Sequence, residues 1–197
     1  MFNHAAKLVS PYSRRGILIV IAAFSLVAVA CTSTLETSAT PTEPPEFSVG
    51  ADGRASNAAP LFAAETFNHG EFDLADHAGK PVLINFWFPS CPPCAAELPD
   101  MQASYERYGD EVALIGVQQT SSDTAAEGKA FLDNLGVTYP NFADQNESGA
   151  AEVQIAYRIV SYPTTIFLNR DHSISRSWTG LIDEDNLTEQ IELVINS

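Results

Sequence analysis

Positive charge is scarce in this chain: ten Lys and Arg stand against 25 Asp and Glu, a formal net charge of −15. Three of those cations, Lys7, Arg14 and Arg15, fall within the first thirty residues, which hold no acid, so the remainder is more negative still. A body of that sign is repelled by nucleic acid and by anionic lipid headgroups, which excludes both as partner surfaces. Cysteine is scarce too, with only Cys31, Cys91 and Cys94. Cys91 and Cys94 are too close in sequence for a bridge that closes a long loop. A structural zinc site needs four ligands. No second cysteine pair exists to supply them, and His69, His77 and His172 lie scattered. What is plentiful is apolar residue: 45% hydrophobic against 18% charged is the composition of a globular chain.

The apolar residues first appear at 17–30, an uncharged run behind the basic cluster. It falls short of the roughly 20 residues that span a bilayer and suits the core of a signal peptide. The run ends Leu26-Val27-Ala28-Val29-Ala30-Cys31. Small residues before a cysteine resemble the lipobox of bacterial lipoprotein signals, which implies cleavage before Cys31 and lipid on its sulfur. Ala28 departs from that motif, where leucine is more usual, and an ordinary secretory signal is the competing reading. Ser13-Arg14-Arg15 also resembles a twin-arginine export signal. Either route puts the body outside the cytoplasm. Residues 1–30 are thus read as signal and 31–59, rich in Thr, Ser, Pro and Glu, as a tether that buries too little to offset its ordering entropy.

From residue 60 to 197 the pattern is that of one folded domain. A hairpin with its turn at Gly70 is expected over 61–73, then one helical turn at 74–77 ended by Gly79. Residues 82–88, VLINFWF, read as a strand buried on both faces. Pro92 to Tyr108 reads as a helix with Cys91 at its N-cap and Pro92 at the favoured first position; Pro99 inside it should kink it. Further strands are expected at 112–117, 139–142, 164–168 and 173–179. Helices are expected at 124–135, 149–157 and from the N-cap Asp183 to about Ile195. Strands alternating with helices give an α/β layered sheet.

The spacing of Cys91 and Cys94 is that of a redox dithiol or half a zinc site. A thiol must ionise to act as a nucleophile, and a helix N-terminus favours that ionisation. Cys91 at the N-cap is in that position, and Cys94 lies one turn on, where its sulfur can reach back. The roles implied are attack by Cys91 and resolution of the mixed disulfide by Cys94. Pro92 and Pro93 carry no N–H, so mainly the Cys94 amide remains to donate to the Cys91 sulfur. A modest depression of the Cys91 pKa is expected, hence a reducing pair.

Asn85-Phe86-Trp87, then Cys91-Pro92-Pro93-Cys94, Glu97-Leu98-Pro99 and Tyr162-Pro163-Thr164-Thr165 together resemble the thioredoxin superfamily, in its TlpA/ResA-like extracytoplasmic branch. The resemblance implies a thioredoxin fold: a central mixed β-sheet flanked by helices, with an N-terminal β-hairpin and an insertion around residues 120–150. It implies no cofactor and a redox-active Cys91–Cys94 disulfide. Pro163 is expected to be cis and to lay backbone beside the dithiol, the alternative being a trans proline that starts a strand. Tyr162, Trp87 and Pro92 are expected to contact substrate. Glu97 matches the acidic position of the branch, where a partly buried carboxylate would exchange a proton with Cys94; the alternative is a solvated first-turn glutamate. The partners implied are protein thiols and disulfides of the cell envelope, apocytochrome c among them, and a membrane thiol-reducing electron donor. Asn85 stands where thioredoxin has a buried aspartate, and Ser90 where the family usually has tryptophan.

Three rivals stay in view. A disulfide-forming oxidase uses the same fold and cysteines at a different redox poise. A peroxiredoxin needs Thr or Ser three residues before its reactive cysteine, where this chain has Phe88. A tethered metal-binding module would use Cys91 and Cys94 with His172.

Overall fold

A computed structural model describes residues 57–146 and 148–197. A two-stranded hairpin comes first: β1 (Ala63–Glu65) pairs antiparallel with β2 (Glu71–Asp73), and Gly70, at φ 72°, makes the turn between them. One 3-10 turn (Leu74–His77) comes next, and then β3 (Val82–Trp87). The chain continues through α1 (Pro92–Tyr108), β4 (Ala113–Gln118), α2 (Ala125–Leu135), β5 (Asn141–Ala143) and the short α3 (Val153–Ala156). It closes with β6 (Thr164–Leu168), β7 (Ile174–Thr179) and α4 (Glu184–Ile195). The main sheet has the order β5-β4-β3-β6-β7. β3, β4 and β5 are mutually parallel, β6 runs antiparallel to β3 and β7 antiparallel to β6, so the sheet is mixed as the resemblance implied.

Alternation along the strands sends side chains to two cores. Leu83 and Trp87 of β3, Leu114 of β4 and Phe167 of β6 meet Leu98 and Met101 of α1, Leu132 of α2 and Leu187, Ile191 and Val194 of α4. On the other face Val82, Ile84, Phe86, Ile115 and Val117 meet Phe72, Leu74, Phe142, Val153 and Tyr157. Phe62 bridges Phe72, Phe142 and Tyr157 and so ties the hairpin to that second face. Both faces of β3 are therefore dry, which is why its sequence is continuously apolar apart from Asn85.

Helix boundaries are set by their caps. Asp183 accepts from the Asn186 N–H, and Thr124 and Glu127 form a reciprocal capping box that starts α2. Gly136, left-handed at φ 70°, ends α2. Residues 57–59 are held against the sheet: Ala58 bridges Ser173, Ala59 N–H donates to the His172 carbonyl at 2.9 Å, and Ala59 is buried. The folded body thus includes three residues that composition alone assigned to the tether. The helix expected over 149–157 is only four residues long, because buried Asp144 accepts the N–H groups of Glu152, Val153 and Gln154 and sets its start.

Two glycines set how closely elements approach. Gly116 of β4 lies against the Asn141 side chain, whose Oδ1 accepts from Trp87 Nε1 at 2.9 Å, and a methyl at Gly116 would overlap that oxygen. Gly128 of α2 lies as closely against Gln118. Gly116→Ala is therefore expected to displace Asn141, break the Trp87 bond and cost about 2–3 kcal/mol of stability in urea titrations. A cost within experimental error would show that the β3–β4–β5 region yields more readily than this packing implies.

Candidate active site

The site stands at the carboxyl end of β3, where the chain leaves the sheet and starts α1. Cys91 N-caps the helix with extended backbone (φ −98°, ψ 105°), and its Sγ accepts from the Cys94 N–H at 3.2 Å. Pro92 and Pro93 occupy the first helical positions, so this amide is the near donor, as expected from the sequence. Cys91 and Cys94 are joined as a disulfide with Cα atoms 5.3 Å apart. Cys91 keeps 3% of its surface accessible and Cys94 none. The first sulfur is the one a partner can reach.

Glu97 is one turn beyond Cys94 on α1 and is 1% exposed, which removes the solvated alternative. Asn85 Nδ2 donates to its Oε1 at 2.7 Å, and the Ile182 N–H donates to its Oε2 at 3.1 Å. Burial pushes the carboxyl up to about 7, against the opposing pull of the Asn85 and Ile182 hydrogen bonds. Asn85 also donates to Thr165 Oγ1 at 3.1 Å, while its Oδ1 finds no donor among the described residues. One carboxyl group thus joins β3, α1 and the segment before α4 beneath the dithiol.

The Tyr162–Pro163 peptide is cis. Register places it beside the dithiol, because Thr164 pairs with Phe86 near the end of β3. Phe88 meets Tyr162 edge to face, with ring centroids 5.3 Å apart, and the Tyr162 hydroxyl donates to Gln154. Tyr162 is half-buried and Pro92 exposed, so both present surface next to Cys91. Trp87 does not. It is fully buried, its Nε1 is taken by Asn141, and its ring stacks on Phe131, so the expectation of substrate contact is corrected to a packing role. Cys31 lies outside the described residues.

Several contributors escaped sequence reading. Ile182 acts through its backbone N–H, which no side-chain pattern reveals. In the sequence Thr165 stands only as part of the resemblance motif, Asn141 falls within an expected strand with no role, and nothing singles out Asp123. Asp123 Oδ2 accepts from the Ser90 hydroxyl at 2.7 Å, immediately before Cys91. Among the described residues no group of three or more His, Cys, Asp or Glu is placed to hold a metal ion.

The chain's likeness to known proteins agrees with this geometry. Residues 55–177 match the family model described as the AhpC/TSA family. The thioredoxin-like protein YneN of Bacillus subtilis is 31% identical over 136 residues, covering 68% of this chain and 77% of that protein. The thiol–disulfide oxidoreductase ResA of Halalkalibacterium halodurans is 32% identical over 142 residues, 72% of this chain and 77% of that one. In fold the chain is similar to StoA from Bacillus subtilis (TM-score 0.60, 24% identity, 68% of this chain and 98% of that one). A secreted disulfide oxidoreductase of Mycobacterium tuberculosis is similarly close (TM-score 0.59, 21% identity, 67% and 95%). With a cysteine pair on a helix N-terminus beside a mixed sheet, and relatives of this kind, the chain belongs to the thioredoxin-like AhpC/TSA family and is a thiol–disulfide oxidoreductase.

Proposed function

We propose that this oxidoreductase works in the reducing direction on disulfides of extracytoplasmic proteins, held to the membrane by lipid on Cys31. The observation that carries the direction is the single amide, from Cys94, that reaches the Cys91 sulfur at 3.2 Å. A thiolate with one such donor is stabilised less than one facing an open helix terminus, and a less stabilised thiolate makes the reduced pair the better electron donor. The basic and apolar residues of 1–30 and the small residues before Cys31 support export and lipidation. No helix among the described residues is long and apolar enough to cross a membrane.

In the reduced enzyme the Cys91 thiolate attacks one sulfur of the substrate disulfide. That bond breaks, the leaving sulfur takes up a proton, and a mixed disulfide forms on Cys91. The Glu97 carboxylate then removes the Cys94 proton, and the Cys94 sulfur attacks Cys91 Sγ. The second substrate sulfur leaves and is protonated in turn. Two electrons and two protons have moved to the substrate, and the enzyme is left in its disulfide form, with Cys91 joined to Cys94. A membrane dithiol donor would restore the reduced state. The Pro163 carbonyl is occupied by the Gly180 N–H at 2.8 Å, so pairing with an extended substrate segment falls to the Tyr162 peptide. Apocytochrome c, with its paired cysteines, is one substrate this arrangement suits.

Three measurements test the reading. Cys94→Ala should accumulate a mixed disulfide on Cys91 whose partner mass spectrometry identifies; a partner held on Cys94 in the Cys91→Ala protein instead would reverse the roles. Alkylation of Cys91 followed against pH should show a half-point above about 6; a value well below that would mark an oxidase. Glu97→Gln should remove from the exchange rate the ionisation near pH 7 that the Glu97 position predicts. The same substitution has a stability signature. A carboxyl whose folded pKa lies above its unfolded value contributes fully below about pH 4.5 and loses that contribution as pH rises through about 7. Glu97→Gln should therefore gain stability relative to the parent across that window, by roughly 3 kcal/mol at most. A pH-independent difference would show that Glu97 does not titrate there.

A further inference from the structure

Ser90 stands directly before the attacking sulfur and makes two bonds to one oxygen. Its hydroxyl donates to Asp123 Oδ2 at 2.7 Å and its N–H to the same atom at 3.3 Å. Asp123 is itself firmly held. Gln118, fully buried at the end of β4, donates from Nε2 to the carbonyls of Asp123 (3.3 Å) and Thr124 (2.9 Å). Gly128 of α2 leaves room for that amide, since a methyl there would overlap Gln118 Oε1. Thr124, the next residue, N-caps α2. A buried amide therefore fixes the backbone of Asp123 from one side, and the start of α2 fixes it from the other. Its side chain closes on the residue before Cys91.

We propose that Asp123, latched to Ser90, is a positioning residue that holds a negative charge beside Cys91 and biases the dithiol toward giving up electrons. A carboxylate next to a thiol disfavours the thiolate, against the pull of the helix N-terminus. Three ionisable groups lie on elements next to the dithiol: Glu97 one turn beyond Cys94 on α1, Tyr162 before β6 against Phe88, and Asp123 in the β4–α2 loop against Ser90. Glu97 is buried and engaged by Asn85 and Ile182, whereas Asp123 bonds the exposed Ser90. This inference rests on Cys91 being the attacking thiol. Because β4 and β6 flank β3 on either side, the Asp123 latch after β4 and the Tyr162 contact before β6 reach the 88–90 segment from opposite neighbours.

Asp123→Asn keeps an acceptor for Ser90 and removes the charge. In the full-length protein it should lower the half-point of Cys91 alkylation. It should also shift the equilibrium with glutathione roughly threefold toward the reduced dithiol, as expected for one nearby charge in water-like surroundings. Threefold corresponds to about 14 mV for a two-electron couple. Ser90→Ala, which frees the carboxylate without touching α2, should shift both readouts in the same direction and decides the matter if the Asp123 variant does not fold. An unchanged or raised half-point with an unchanged glutathione equilibrium overturns the proposal. Capture of substrate on Cys94 in the trapping experiment would sink the role assignment instead, and leaves the ionisation of Cys91 measurable on its own.

Discussion

The arrangement depends on a carboxyl group kept out of water between a strand and a helix. Glu97 could not remain buried without donors, and the donors come from two separate places: the Asn85 side chain on β3 and the Ile182 backbone ahead of α4. Those two bonds hold α1 in a fixed rotation against the sheet. Because the cysteines sit on the same helix, their position is fixed with it. The raised pKa and the placement of the dithiol thus have one cause.

This also explains why an otherwise apolar strand tolerates Asn85. Thioredoxin places an aspartate in that position, and two carboxyls facing each other in a dry site would repel. An amide instead donates to Glu97 and Thr165 together, so Glu97 faces no second carboxyl from β3. The polar residues around the site divide accordingly. Glu97 and Asn85 lie on the buried side, where the proposed proton exchange with Cys94 would take place, while Ser90 and Asp123 make their bond at the surface.

Much of the fold could be read from residues with local consequences. Cys91 with two prolines after it announced the start of α1 to the residue, Thr124 and Gly136 bounded α2, and Gly70 made the hairpin turn. The continuous apolar runs of β3 and β4 announced buried strands. What could not be read depended on contacts distant in sequence. The resemblance implied substrate contact for Trp87, yet its indole N–H is satisfied by Asn141, 54 positions on. The extent of α3 depended on Asp144 capping it from across a loop, and residues 57–59 joined the body only because β7 offered them an edge. Ile182 contributes an N–H that every residue but proline has, so nothing in its side chain could mark it.

The pairing of residues 57–59 with 172–174 has a directional consequence. Ile174 is opposite Leu168, and Leu168 opposite Val82, so the polypeptide enters the body at the end of the sheet where β3 begins. The cysteines are at the other end, about 20 Å away along a six-residue strand. Asn57, the first described residue, therefore lies at the pole of the sheet remote from the chemistry. A bulky protein can thus approach the sulfur head-on without meeting the segment 57–59 or disturbing its pairing with 172–174.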